Sequence, residues 1–459
     1  MNFLGIDVNV KNMPLLDGNY IPFGAFMDKY LEGAKKPVSF AVVRNRGLVS
    51  VFDTRIYGTD DMRAADMFYA ERLVKFLLWA RGGAEIVVYG DRGVADFLRN
   101  EYSAEGRRAF DYDFMAGVYG REFTVAYKPL EEKADPREES IQAGGNWNGC
   151  RIGFDAGGSD RKVSAVVEGE PVFSEEVVWY PKINADPEYH YQGIVDSMKR
   201  AASKMPRVDA IGVSSAGIYI DNRTMVASLF IKTPKDLFDQ KVKDIYIRAA
   251  GEFGNAPLVV ANDGDVTALA GALELGEGKV LGIAMGTSEA AGYVDGNMGI
   301  TGWLNELAFA PVDCSPGAME DEWSGDRGCG VKYFSQDGII KLAGLAGIPL
   351  AEGDPPAKKL TAVQELMENG DAAARGVYAS MGAYLGHSIP LYARFYDIKH
   401  VLLLGRVMSG EGGALIVSEA ARILNEEYPA IARKVIISLP DENSRRLGQS
   451  VVAASLPVL

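Results

Sequence analysis

From residue 150 onward the spacing of apolar and polar positions changes period repeatedly, and each change marks an element. Short β-rich runs predict strands at 151–156, 161–168 and 171–179, the first two joined by the tight turn in "GFDAGGSDRK". A helix follows around 187–204, where Ile194, Val195 and Met198 recur at helical spacing. A strand at 208–213 comes next, and "APLVVANDGDVTALAGALELG" reads as a buried strand running into a helix, with Asp263 at the junction. "KVLGIAMGTSEAAGYVDG" then restarts the strand, glycine turn, strand layout. "HVLLLGRVMSGEGGALIVSEAARIL" is a further strand-to-glycine-to-helix passage, and "NSRRLGQSVVAASLPVL" reads as a closing helix. Two copies of one layout predict two related lobes with a cleft between them.

The first 128 residues carry their own pattern. "KPVSFAVVRNRGLVSVFDTRIYG" is a hairpin signal, followed by a helix ending near Gly82, a strand at Ile86 to Tyr89 and another helix. Hairpin, helix and strand faintly repeat the later order. Residues 129–149, charged and then rich in Gly and Asn, have the composition of a linker. The expected organisation is therefore an additional α/β domain of open role at 1–128, a linker at 129–149, a first lobe at 150–275 joined by a C-terminal helix at about 442–459, and a second lobe at 276–441.

Composition narrows the partners. A chain of 459 residues is too long for one ordinary core, and 47% hydrophobic with 24% charged residues is ordinary globular usage. The net charge of -14 opposes attraction to nucleic acid or anionic lipid, so neither nucleic acid nor a membrane is an expected partner. Three widely spaced cysteines, Cys150, Cys314 and Cys329, make no disulfide framework, and with no signal-like start or long apolar run the chain reads as cytoplasmic.

Four passages could carry chemistry. In "DAGGSDRK", Gly157 and Gly158 let the backbone approach an anion, Ser159 adds a hydroxyl, and Asp155 could hold a metal-bound water; an ordinary hairpin reads equally well from these residues alone. Gly286 and Thr287 in "AMGTSEAAGY" could offer a backbone N–H and a hydroxyl to a second phosphate. Asp263 is either a helix N-cap or a base within reach of a hydroxyl, with Asp265 the competing carboxylate one step inside the helix. Gly405, in "LLLGRVMSGEGG", could end a wall for a purine ring or be a plain strand-helix connection. His190, His387 and His400 lack ligand-like spacing and read as structural.

In this order, the four passages resemble the actin-like ATPase superfamily, and within it the ROK family of bacterial sugar kinases and repressors. "GFDAGGSDRKVSAVV" is similar to the family phosphate loop, "VDAIGVSSAGIYIDNRTMVASLFIKTP" to its strand and sugar-side loop, "ANDGDVTALAGAL" to the segment bearing the catalytic Asp, and "SRRLGQSVVAAS" to the closing helix. The resemblance covers about 150–459. It implies an α/β fold of two actin-like (ribonuclease H-like) lobes with an interlobe cleft, preceded here by an additional α/β N-terminal domain. It also implies ATP- and Mg²⁺-dependent transfer of a phosphoryl group to a hydroxyl of a small-molecule sugar or sugar-like substrate. Asp263 would be the general base, Asn262 and Glu306 would contact the substrate, Asp155 would hold Mg²⁺ through water, and Asp155, Gly157, Gly158, Ser159, Gly286, Thr287 and Gly405 would bind the nucleotide. A homodimer is expected.

The departures from the family pattern are specific. Phe309 stands where the family has a histidine; Glu322 and Ser324 replace cysteines, Cys329 is kept, and Val331 replaces a glutamate. One surviving thiol does not make a tetrahedral zinc site, so no zinc is expected. The second phosphate loop has become "GTSEAAG", and Glu289 would bring a negative charge toward phosphate unless a metal relieved it or its side chain turned away. These losses motivate an alternative, a non-catalytic sugar or nucleotide sensor on the same scaffold.

Overall fold

In the computed structural model, residues 1–440 and 448–459 are described. Two compact units are present. The first comprises Met1–Glu139, Ile283–Ala291 and Trp303–Leu439, and the second Ser140–Gly282, Gly292–Gly302 and Pro440–Leu459.

The second unit is built on a five-stranded sheet with the spatial order Glu170–Val178, Asp160–Val167, Cys150–Ala156, Ala210–Ser215 and Leu258–Asn262. The first three strands are antiparallel neighbours and the last two join them in parallel. This order fits the ribonuclease H-like lobe that the family resemblance implies. Ile152, Phe154, Ile211 and Val213 fill one core with Ile194, Val195 and Met198 of the helix Pro187–Ala202. The parallel strands need buried faces on both sides. On the other face lies the helix Gln449–Ala454, close enough that a Cβ at Gly153 or Gly212 would sit 1.6 Å from a carbonyl oxygen of that helix. Gly153 and Gly212 are register partners, so together they form a side-chain-free trough beneath the helix. Part of the predicted closing helix, residues 442–447, lies outside the described residues.

The first unit contains a four-stranded sheet in the order Val49–Ile56, Lys36–Val43, Glu85–Tyr89 and Thr124–Lys128. The hairpin, the helix Arg63–Arg81 ending at Gly82 and the next strand appear where the pattern places them. Lys36–Val43 and Glu85–Tyr89 run antiparallel, however, whereas the corresponding central strands of the five-stranded sheet run parallel. The faint sequence repeat therefore does not extend to topology. Elsewhere in this unit His400–Leu404 pairs in parallel with Ile436–Ser438, and the long helix Ala372–Tyr392 buries the aromatic-rich tract around His387.

Residues of linker composition are ordered by specific bonds. Arg137 pairs with Val49 through backbone bonds, and Glu138 accepts from Arg44 and Ser50. Ser140–Gln142 then forms an edge strand against Gly299–Thr301. No helix among the described residues is long and apolar enough to cross a membrane.

Candidate functional site

The second unit gathers the first group of predicted site residues at the ends of its central strands. Asp155 closes the strand Cys150–Ala156 and is 5% exposed. Ser214, on the neighbouring parallel strand, donates to Asp155 Oδ1 at 2.8 Å. Burial, with a smaller push from the negative charge of Asp263, raises the Asp155 carboxyl to about 6. A carboxylate from a strand end and one from a strand-helix junction thus feel one another beside the glycine turn.

The turn itself runs from Gly157 to Asp160. A Cβ at Gly157 would lie 2.8 Å from Asp160 O, which explains the residue type at that position. Ser159 Oγ bonds Asp160 Oδ2 at 2.9 Å, so its hydroxyl is used locally. Trp179 clasps the turn from outside, its indole N–H donating to Gly157 O at 2.8 Å and its amide to Ser159 O at 3.1 Å.

Asp263 is the first residue of the helix Asp263–Leu275, but Asn262, not Asp263, is its N-cap. Asn262 Oδ1 accepts from the Gly264 amide at 2.7 Å, and Asn262 Nδ2 donates to Gly217 O at 2.7 Å. Both ends of that side chain are engaged internally. Because Asn262 takes over the capping, Asp263 is left at the strand-helix junction, half-buried, with one contact to the Gly264 amide at 3.0 Å. Burial raises its carboxyl above the ordinary range, against smaller opposing effects of the Gly264 amide and of Lys182. Asp265 turns the other way, accepting from the Tyr293 amide at 3.1 Å. Its buried position removes it from competition as a base.

The second group lies in the first unit. Gly286 O accepts from the Gln336 amide at 2.9 Å, and Gly405 lies so close to the end of the strand Val280–Met285 that a Cβ would meet Met285 O at 2.4 Å. Gly286, Thr287 and Gly405 are thereby brought to one strand end. Glu306 is half-buried at the start of a short turn, Leu307–Phe309.

Of the orientations open to Glu289, the structure shows the side chain turned inward. It is an inward-facing residue of the strand Glu289–Val294, 3% exposed, and its side chain points into the core rather than toward a phosphate loop. Neither carboxylate oxygen has a hydrogen-bond partner among the described residues. Burial, reinforced by Glu306, raises its carboxyl to about 8.

Sequence reasoning missed what occupies the region of the family's zinc motif. Phe309, at the histidine position, packs against Trp79 and Phe110, with ring centroids 4.3 and 5.7 Å apart. Asp326 is gripped by the Arg72 guanidinium at 3.0 and 3.1 Å, by Lys75 at 3.3 Å and by Arg108 at 2.6 Å, all buried. Glu71 and Asp111 complete the charge balance, the first bound to Arg72 and Arg108 and the second to Lys75. Cys329 donates its S–H to Asp326 at 3.4 Å. No group of three or more His, Cys, Asp or Glu side chains able to hold a metal occurs among the described residues. His190 and His387 are buried with both ring nitrogens near hydrogen-bonding oxygens, as structural histidines are.

Residues 151–454 match the profile described as the ROK family. The chain belongs to the ROK family. Among solved structures it is similar to a ROK hexokinase from Thermus thermophilus, with 18% identity, 67% of this chain and 97% of that chain covered, and a TM-score of 0.51. It is similar also to a ROK family transcriptional regulator, a homologue of the E. coli MLC protein, with 15% identity, coverage of 68% and 79%, and a TM-score of 0.50. These likenesses support the two-lobed α/β ROK fold, with the family match beginning only after the N-terminal segment. Comparison with curated proteins gave no significant match. In this ROK chain the zinc motif is absent from the sequence, and the segment that replaces it is fixed by charges and rings from the N-terminal helices.

Proposed function

We propose that this ROK chain is an ATP-dependent kinase that phosphorylates a hydroxyl of a sugar or sugar-like small molecule. The observation that carries the reading is the pair Asp155 and Asp263, at the ends of two parallel strands that flank Ala210–Ser215 in one sheet, with Asp263 left free of the capping role because Asn262 supplies the helix cap. Phosphoryl transfer to an alcohol asks little covalent work of a protein beyond a base near the hydroxyl and groups that hold charge.

The residues present suit a magnesium nucleotide. Asp155 is a buried carboxylate with a single side-chain donor among the described residues, Ser214, which fits a hard cation or its bound water, and the glycine turn leaves backbone close to it without Cβ atoms. Bound Mg²⁺ would supply charge neutralisation at the phosphates. Asp263 accepts the proton of the attacking hydroxyl, and its raised pKa makes it a better acceptor than an ordinary surface aspartate. Asn262 holds Asp263 in place and retains its second amide N–H for a substrate oxygen. Gly286, Thr287 and Gly405 are assigned to the nucleotide and Glu306 to the substrate.

A second reading, a sugar or nucleotide sensor without turnover, is favoured by Phe309, whose ring is packed among Trp79 and Phe110 and offers a substrate no polar group. The two readings separate on one experiment. Purified protein is supplied with MgATP and a panel of hexoses and amino sugars. The kinase reading expects sugar-dependent ADP formation, with Asp263→Ala cutting kcat by several orders of magnitude at nearly unchanged nucleotide affinity. Binding without turnover on every sugar, or an unimpaired Asp263→Ala, overturns it.

A further inference from the structure

The segment after the strand Glu170–Val178 folds back over the glycine turn and is fixed there from two sides. Trp179 makes the two bonds to the turn already described, and its ring is buried. Beyond it, Pro181–Ile183 forms a single helical turn. His190, fully buried, places Nε2 3.2 Å from Pro181 O and Nδ1 3.2 Å from Asp186 O. Burial holds the imidazole neutral, with a pKa lowered to about 4. The turn carrying Lys182 is therefore braced, although Lys182 itself is exposed.

The position of Lys182 is specific. Its terminal methylene and ammonium lie 3.0 and 3.1 Å from where a Cβ of Gly158 would be. The ammonium is also close enough to Asp263 for its charge to act on that carboxylate. Lys162, the other lysine of the hairpin, faces Asp160 at 3.5 Å and Glu176 at 3.9 Å. Lys182 has no such ion pair among the described residues. A cation held between an anion-binding turn and a base, and not spent on a protein carboxylate, has the placement of a phosphate ligand.

We infer that Lys182 binds the terminal phosphate of a nucleoside triphosphate and supplies positive charge during its transfer, an assignment that rests on the kinase reading. As the substrate oxygen bonds to phosphorus, its proton passes to Asp263 and the phosphorus bond to the leaving diphosphate oxygen breaks. Lys182 offsets the negative charge that leaves with that oxygen, and is itself unchanged at the end. Neither its neighbours in sequence nor any family motif signals this role.

The test compares the full chain with Lys182→Met and Lys182→Arg, measuring the Kd of MgATP and of MgADP by calorimetry alongside turnover. Loss of one charge-assisted contact predicts MgATP binding weakened about tenfold or more in Lys182→Met. MgADP affinity should be unchanged, kcat lowered about a hundredfold, and part of both recovered in Lys182→Arg. Lys182→Met with wild-type ATP preference and wild-type kcat overturns the assignment and leaves the kinase reading standing. A wild-type chain that binds neither nucleotide overturns both.

Discussion

At the scale of single residues, the carboxylates of this chain divide by what surrounds them. Asp155 and Asp263 sit beside a glycine turn, whereas Glu289 is sealed in a core with neither oxygen bonded to any described residue. A carboxyl raised from its ordinary 4.5 to about 8 binds its proton more tightly in the folded state. Its contribution to stability is therefore complete at pH values below 4.5 and is lost as pH climbs through about 8. Glu289→Gln cannot ionise. Its stability relative to wild type should rise across that window by up to about 1.4 kcal/mol per pH unit, read from urea unfolding at pH 5 and pH 8. An equal difference at both pH values would show that Glu289 is charged and paired when folded. The sequence revealed a glutamate inside a phosphate-loop motif but not which way it faced. Strand alternation decides that, and a one-residue change in register would have reversed it. Asp263 was legible because an apolar strand, an Asn-Asp pair and an apolar helix occur in one short passage. That Asn262 does the capping required the structure.

At the scale of elements, the five-stranded sheet was largely readable, since each strand announces itself by β-branched runs between glycine turns. The closeness of its last layer was not. Gly153 and Gly212 look like weak points in strands, yet they are where the helix Gln449–Ala454 rests on the sheet. Gly153→Ala and Gly212→Ala each force a methyl against backbone, and each should cost at least about 1–3 kcal/mol. Denaturant unfolding checks this, and a cost below about 0.5 kcal/mol would mean that the helix shifts freely. Lys182 was equally hidden. An exposed lysine in an irregular segment has no periodicity to mark it, and only the fold-back fixed by Trp179 and His190 gives it a place.

For the molecule as a whole, the N-terminal segment yields a structural role before any chemistry. Glu71, Arg72 and Lys75 of the helix Arg63–Arg81 are buried in the first unit, where Arg72, Lys75 and Arg108 hold Asp326 and Glu71 binds Arg72 and Arg108. Ion pairs between residues far apart in sequence leave no local pattern, so this network was invisible beforehand. Asp326→Ala leaves three buried cations facing only the two carboxylates of Glu71 and Asp111, and removing one partner of such a buried set typically costs about 3–5 kcal/mol. The expected result is a large fall in Tm that added zinc does not reverse. A variant with wild-type Tm would show that the cluster is not braced by Asp326. The same argument makes the N-terminal helices structural partners of the segment that elsewhere in the family is associated with zinc.

The glycine trough carries a consequence for the birth of the chain. The strands at Cys150–Ala156 and Ala210–Ser215 leave the ribosome well before Gln449–Ala454, the helix that covers them. At ordinary synthesis rates that interval is roughly ten to fifty seconds. Throughout it, the flat glycine-lined face stays bare and wet, a surface on which chaperones or neighbouring nascent chains can settle. The first lobe of this protein is thus begun early and closed late, and its yield in a cell should depend on what guards that face in the meantime.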